Sequence, residues 1–252
     1  MIQSEKLLQQ EMCTLTCSAS GGTSVSLSCS ATGQSGTNTL TVPKGSTISY
    51  TIPAYGSASS KSGSITMDSN KTLTATYSSS SSSTDVSWSR TALSSNGTMG
   101  GSSCAASASS QRVSGNEVGA WGAFSGETTK HWCSNGKAPQ SVTYYTPDLV
   151  RVTSMSIATR AAGNYYVTAA TISISSNNSN YTTIGSYSNN TNDKGVYHSV
   201  SLSNTSTYGH YIKINITASA GSSQSYIVIG DCTISGYKQT TTTTYYWNVS
   251  IS

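Results

Sequence analysis

Charge is what this sequence has least of: Asp, Glu, Lys and Arg make up 9% of its 252 residues, against roughly 25% in an average soluble domain. Phenylalanine occurs once, proline four times and histidine three times. Scarcity of ionisable groups bears first on catalysis, which needs a poised acid, base or nucleophile. His198 sits in the alternating run VYHSVSL and His210 in HYIKINI, so both read as strand residues. The carboxylates Glu117, Glu127, Asp148 and Asp231 are dispersed rather than paired for glycoside hydrolysis. No G-x-S-x-G elbow occurs among the many serines. A non-enzymatic chain is therefore expected.

Other absences exclude whole classes of partner. No run approaches the roughly 20 apolar residues that a membrane helix requires. The 13 basic residues are scattered, so no surface tracks the phosphates of a nucleic acid. The six cysteines, Cys13, Cys17, Cys29, Cys104, Cys133 and Cys232, include no CxxC pair and no histidine at zinc-finger spacing. They read as small buried apolar residues, with Cys13–Cys29 or Cys133–Cys232 disulfides as the alternative in oxidising surroundings. The opening MIQSEKLLQQEM has no apolar h-region and carries Glu5 and Glu11, so it does not read as a secretory signal. The rest of the composition nonetheless looks extracellular. A protein folded in a cytoplasm and released by lysis, as virion proteins are, reconciles the two; a processed or recombinant chain is the other account.

What is present is Thr, Ser, Asn, 22 Gly and 16 Tyr, the residue types of strands and turns rather than of helices. An all-β fold is expected, in two domains. Residues 1–12 read as a short helix, either an anchor docking into a partner or an ordinary N-terminal cap. Residues 13–77 alternate apolar and polar in short runs such as SVSLSC, TISYTI and TLTATY, broken by GG, PKG and DSNK turns. Residues 78–84 hold an uninterrupted serine run that reads as a flexible linker. About eight further strand candidates fill 85–238, the pattern of a sandwich or barrel. The tail, 239–252, leads through Thr240–Thr244 into YYWNVSIS. It reads as an edge strand of the large domain or as a strand docking on another subunit.

Two stretches resemble known families. The order VPKGSTISYTIPAYG to SGSITMDSNKTLTATY is similar to small bacterial surface repeats of the internalin B-repeat and PEGA-like kind, which usually act as spacers. In the large domain, Ala123-Phe124-Ser125-Gly126 precedes Trp132, and a strand carrying Val152, Met155 and Ile157 leads to Arg160. Ile172 to Asn178 with Tyr181, then His210 to Ile214, then Ile229 to Ile234 follow in order. That succession resembles the discoidin or coagulation-factor C-type domain, the galactose-binding-like jelly roll.

The resemblance implies a sugar site on the loops at one end of the jelly roll. There a guanidinium forks onto hydroxyls, an amide adds donors and an acceptor, and a ring covers the sugar's C–H face. The matching positions are Arg160, Asn164 and Tyr165 or Tyr166. The bland account makes Arg160 a solvated loop residue and gives the tyrosines to the next strand. Trp121, in the Gly-rich GAWGAF, stands as either a sugar platform or a core residue, whereas Trp132 reads as core. Galactose-binding members place a histidine just after the tryptophan; here Cys133 and Ser134 stand there, and alternation turns His131 to the opposite side of the strand. The family's calcium loop has Asp before the Gly and Thr two residues before the Trp. Ser125 and Lys130 replace them, so no cofactor is expected, and calcium would have to draw on Glu117 or Glu127.

The whole chain thereby resembles a phage fibre or decoration protein, expected on the virion surface, homo-oligomeric, contacting other virion proteins and a surface glycan. A bacterial surface adhesin or accessory carbohydrate-binding module, and a purely structural virion protein, are the alternatives.

Overall fold

The computed structural model describes residues 10–221 and 225–252. The N-terminal helix expected over residues 2–12 falls almost wholly outside them; Met12 already belongs to a strand. The chain divides into two compact units, residues 1–83 with 241–252, and residues 84–240.

The small unit contains β1 (Met12–Ala19), β2 (Ser26–Cys29), β3 (Gln34–Thr37), β4 (Thr39–Pro43), β5 (Thr47–Ile52) and β6 (Lys61–Thr66). It also holds the first part of β7 (Lys71–Ser89) and the last part of the chain's final strand. One sheet runs β3-β2-β5-β6. The other has β1 between β4, antiparallel, and β7, parallel. The alternation legible in the sequence is realised residue by residue. In β5 every second side chain, Ile48, Tyr50 and Ile52, is buried, and the threonines and serine between them face water.

The jelly-roll unit adds β8 (Ala105–Ala108), β9 (Val113–Ser114), β10 (Glu117–Val118), β11 (Trp132–Cys133), β12 (Gln140–Ala158), β13 (Tyr166–Ser175) and β14 (Thr182–Ser188). It continues through β15 (Tyr197–Ser199), β16 (Ser201–Leu202), β17 (Gly209–Ala220) and β18 (Val228–Ile229) into β19 (Asp231–Ile251). A galactose-binding-like jelly roll is thus built almost entirely from strands. Strand β12 pairs differently along its two halves. Up to Tyr145 it pairs with β17 and β8; from Val150 it pairs with β19, and at Ser156 to Ala158 also with β15. The register breaks between Tyr145 and Val150, where Pro147 offers no N–H to the ladder. Between the sheets lies one core of Ile172, Ile174, Ile212, Ile214 and Ile216 against Val152, Met155, Ile157 and Ile234, with Trp132 and Phe124 fully buried.

Inside this unit sits an ion pair. Arg90 donates two hydrogen bonds from Nη2 to Asp231, at 2.8 and 2.7 Å, and one from Nη1 to the Phe124 carbonyl at 2.8 Å. Its Nε donates to the Cys232 carbonyl. Asp231 also accepts from the Gly126 N–H at 3.0 Å and the Tyr197 hydroxyl at 2.9 Å. The two side chains are 8% and 1% exposed.

Two expectations change, and the reading of the cysteines as free thiols stands. The serine run is strand, not linker: residues 78–83 lie within β7, and the hydroxyls of Ser81 and Ser83 pair with those of Thr243 and Thr241 at 2.9 and 3.1 Å. Low apolar content does not prevent a strand whose backbone is satisfied by a neighbour and whose side chains stay in water. The tail is neither a separate element of the large domain nor free to dock elsewhere. Residues 241–252 belong to the small unit, where Ser252 and Thr72 exchange backbone hydrogen bonds of 3.0 and 2.8 Å. Trp247 enters that unit's core at 2% exposure and donates from Nε1 to the Pro53 carbonyl at 3.1 Å. Finally, all six cysteines are free, so neither alternative disulfide forms.

Two outcomes follow. Asp231→Asn leaves the Arg90 charge uncompensated, and urea unfolding should show a loss of about 3–5 kcal/mol. The double change Arg90→Met with Asp231→Leu should cost clearly less than the two single changes summed, and simple additivity would contradict the coupling. Deleting residues 241–252 should expose the small unit's core and raise binding of the dye ANS; unchanged dye binding would contradict the placement of Trp247.

Candidate functional site

At one end of the jelly roll, three short segments converge on a cleft of about 290 Å³ lined by Asn116, Glu117, Thr128, His131, Arg160 and Ala161, among others. The hairpin of β9 and β10 carries Glu117 into it. The loop ahead of β11 supplies His131, fixed by backbone hydrogen bonds from His131 N to Asn116 O at 3.0 Å and from Val118 N to His131 O at 3.1 Å. The loop after β12 brings Arg160, tied across by Ala161 N to Thr128 O at 3.0 Å.

Glycines make this convergence sterically possible at two points. A Cβ on Gly122 would lie 2.4 Å from the backbone carbon of His131. A Cβ on Gly163 would lie 1.8 Å from Arg160 Nη2, and Gly163 has a φ of +92°, where an L side chain is strained. The guanidinium therefore lies folded under its own loop.

The electrostatics centre on two groups, Arg160 and Glu117. His131 Nδ1 donates to the Thr129 carbonyl at 2.9 Å, which leaves Nε2 as an acceptor facing Arg160 Nη1 at 3.3 Å. Burial holds the His131 pKa below its ordinary value, and the Arg160 charge pushes it the same way, against the Thr129 contact and Glu117. His131 is thus a neutral partner that positions the guanidinium. Two buried polar atoms at the cleft have no hydrogen-bond partner, Arg160 Nε and Glu117 Oε2. Arg112 Nε approaches Glu117 Oε2 to 3.4 Å as an ion pair, without hydrogen-bond geometry. Unsatisfied buried polar atoms are few in native structures, and each costs about 1–3 kcal/mol. One donor and one acceptor of this kind belong to residues that line the same cleft.

An aromatic wall stands beside the cleft. The Arg160 guanidinium lies 5.6 Å from the Tyr165 ring centre, Tyr165 meets Tyr226 edge-on at 6.1 Å, and Arg112 lies 4.2 Å over Tyr226. Asn164 Oδ1 faces Asn192 Nδ2 at 3.4 Å. Tyr166 opens β13, opposite Ala220. Trp121 lies in the short 3-10 turn Ala120–Phe124, half-buried against the core, with Lys130 5.7 Å over its ring. Of the residues read from sequence, Arg160 lines the cleft, whereas Asn164, Tyr165, Tyr166 and Trp121 do not; Tyr165 meets Arg160 from outside the lining. Trp132 is fully buried and donates from Nε1 to the Ser110 carbonyl at 3.0 Å. Its neighbour His131 does turn the other way, and that side is the cleft.

Glu117 was expected only as a stand-in calcium ligand or a dispersed carboxylate, and Arg112 and Tyr226 carried no expectation. The signal that would have found Glu117 is its isolation: a lone acid in the polar, Gly-flanked stretch SGNEVG. Among the described residues, no group of three or more His, Cys, Asp or Glu side chains is placed to hold a metal ion.

Comparison with known proteins finds similar domains. No curated protein matches the chain. Among solved structures, it is similar to CBM32-3 from a family 31 glycoside hydrolase of Clostridium perfringens, at 20% identity over 52% of this chain and 90% of that one, with a TM-score of 0.44. It is also similar to the family 32 CBM of Clostridium perfringens NanJ, in complex with galactose, at 20% identity over 52% and 93% of the two chains, with a TM-score of 0.44. The CBM32 of AlyQ, in complex with 4,5-unsaturated mannuronic acid, matches at 22% identity over 52% and 92%, with a TM-score of 0.41. The family profile named F5/8 type C domain matches residues 105–229, which cover the cleft and most of the core described above. That match takes in 125 of the chain's 252 residues, all within the larger unit.

Proposed function

We propose that this chain is a non-catalytic glycan-binding protein carried on a virion surface, as a fibre or decoration protein, and that a sugar binds between Arg160 and Glu117. The observation that carries the glycan reading is the pair of unsatisfied buried atoms in one cleft, Arg160 Nε as donor and Glu117 Oε2 as acceptor. A sugar hydroxyl answers both, accepting from the guanidinium and donating to the carboxylate. Tyr165, propped by Tyr226, offers the ring for a C–H face. His131 holds Arg160 from behind without adding a second charge.

The non-catalytic reading rests on the same cleft. Its one carboxylate is ion-paired with Arg112, its histidine is engaged by Thr129 and Arg160, and no second acid lines it. The virion reading is supported by the low-charge, hydroxyl-rich composition and by a small β unit resembling a spacer. Weak single-site sugar affinity becomes useful when many copies act together, which is why a homo-oligomer or a particle-mounted array fits the reading. Mass spectrometry of purified particles tests the placement. Recovery of the chain only from bacterial surfaces would replace it with the adhesin or accessory-module reading.

A glycan array probed with the intact chain should give signals for a subset of surface glycans. Arg160→Ala should abolish them with the melting temperature nearly unchanged, and Glu117→Gln should weaken them about tenfold. Binding that survives both changes contradicts the assignment of the cleft. Acid should also weaken binding. The neutral form of His131 accepts from Arg160, and its folded pKa is depressed, so affinity should be flat above pH of about 6.5. It should fall as more acid protonates His131 and sets two cations side by side. Affinity that rises on acidification would contradict the role given to His131.

A further inference from the structure

The small unit gathers its aromatic side chains at one edge. Tyr55 meets Tyr77 edge-on at 5.3 Å, and Tyr77 stacks on Tyr245 at 5.6 Å with the ring planes 10° apart. Trp247 lies beneath both Tyr55 and Tyr77, at 5.9 and 6.1 Å. The array is built rather than incidental. Tyr55 is held in a hairpin by reciprocal backbone bonds with Ala58 of 3.1 and 3.0 Å, and its ring lies where a Cβ on Gly21 would sit. The Tyr77 hydroxyl accepts from the Ser57 N–H at 3.4 Å.

Core packing accounts for Trp247 and Tyr77 but not for the others, since Tyr55, Tyr245 and Tyr246 remain 40%, 39% and 44% exposed. Tyr245, Tyr246 and Trp247 line a cleft of about 240 Å³ whose other walls are Ser59, Ser60 and Lys61. Lys61 Nζ is anchored on the Trp247 carbonyl at 3.4 Å, which keeps the ammonium at the mouth. No lining residue is acidic.

We propose that this cleft is a second saccharide site, independent of the one at Arg160, and that it takes an acidic sugar. Phenol rings with an exposed face receive the C–H face of a pyranose, as they receive other half-apolar groups. Ser59 and Ser60 supply hydroxyls for the sugar's own, and Lys61 supplies the one formal charge, which a sugar carboxylate answers. A purely apolar partner would leave that ammonium and both serines unmatched, so the chemistry favours a uronic acid chain over a hydrophobic protein strand.

Calorimetry on the full chain carrying Arg160→Ala, with tetragalacturonate and tetramannuronate as probes, tests the proposal apart from the first site. At least one probe should bind, and raised salt should weaken it. Lys61→Ala and Tyr246→Ala should each weaken it about tenfold, while Tyr246→Phe, which keeps the ring, should not. Tyr246 is exposed and makes no core contact, so its removal should leave the melting temperature in place. Absence of binding to both probes at millimolar concentration overturns the proposal, as does equal affinity in Lys61→Ala and Tyr246→Ala. A doubled mass in light scattering that Tyr246→Ala abolishes, without sugar binding, overturns it in favour of self-association through this edge.

Discussion

Asp231 takes two hydrogen bonds from Arg90, one from the Gly126 backbone and one from Tyr197, at a point where its carboxylate is almost completely out of water. Burial pushes this carboxyl's pKa up, and Arg90, the Gly126 N–H and the Tyr197 hydroxyl pull against that push. The pair ties four places in the chain together: the end of β7, the Phe124–Gly126 turn, the start of β19 and the β15 strand. Those segments also adjoin the ones that build the cleft. The Phe124–Gly126 turn leads directly into Thr128 to His131, and the Gly230 that precedes Asp231 is bonded to Ala158, two residues before Arg160. A buried ion pair of this kind adds little net stability over an apolar substitute, yet it penalises any arrangement in which either partner is left alone. In this jelly roll that penalty falls on any misplacement of the loops that build the cleft.

The same logic operates at the cleft with the opposite sign. Inside the sandwich every strong donor and acceptor of the Arg90–Asp231 group is matched. In the cleft, Arg160 Nε has no hydrogen-bond partner, and Glu117 Oε2 has an ion pair with Arg112 without a hydrogen bond. The fold holds Arg160 by steric confinement under Gly163 and by a neutral histidine rather than by a carboxylate, so the guanidinium's charge is not spent within the protein. Preorganisation of this kind lowers the ordering cost that a ligand must meet. It also fixes the direction of the donors, which is what distinguishes one sugar hydroxyl arrangement from another.

Local periodicity made the strands legible, because alternation at period two is a property of each short run and needs no knowledge of its partners. The order of motifs around Trp132, Arg160 and Ile229 made the jelly roll legible for the same reason. What local pattern could not reveal was pairing across the chain. The serine run looked too polar to order itself, and alone it would be; its hydroxyl partners, Thr243 and Thr241, lie 162 and 158 residues further along the chain. The tail with Trp247 read as an edge strand of the large domain or a docking strand because its socket is made by residues near Pro53 and Tyr77. Arg112 escaped notice, and Glu117 was named without its place in the cleft, because no periodic element carries them: they sit around a two-residue hairpin whose place is fixed by the backbone of His131 and Cys133. His131 was read correctly as pointing away from Trp132, but what lay on that side depended on a loop thirty residues further on.

The most direct test of the account is to watch the unmatched donor itself. With arginine side chains labelled with nitrogen-15, the Arg160 Nε–H resonance can be assigned by its loss in Arg160→Lys and followed while a glycan that the chain binds is titrated in. The account predicts that this resonance moves downfield and saturates with the same midpoint as binding, and that it stays in place when the glycan is added to Glu117→Gln at the same concentration. A glycan that binds with full affinity while Arg160 Nε–H stays unshifted would contradict it.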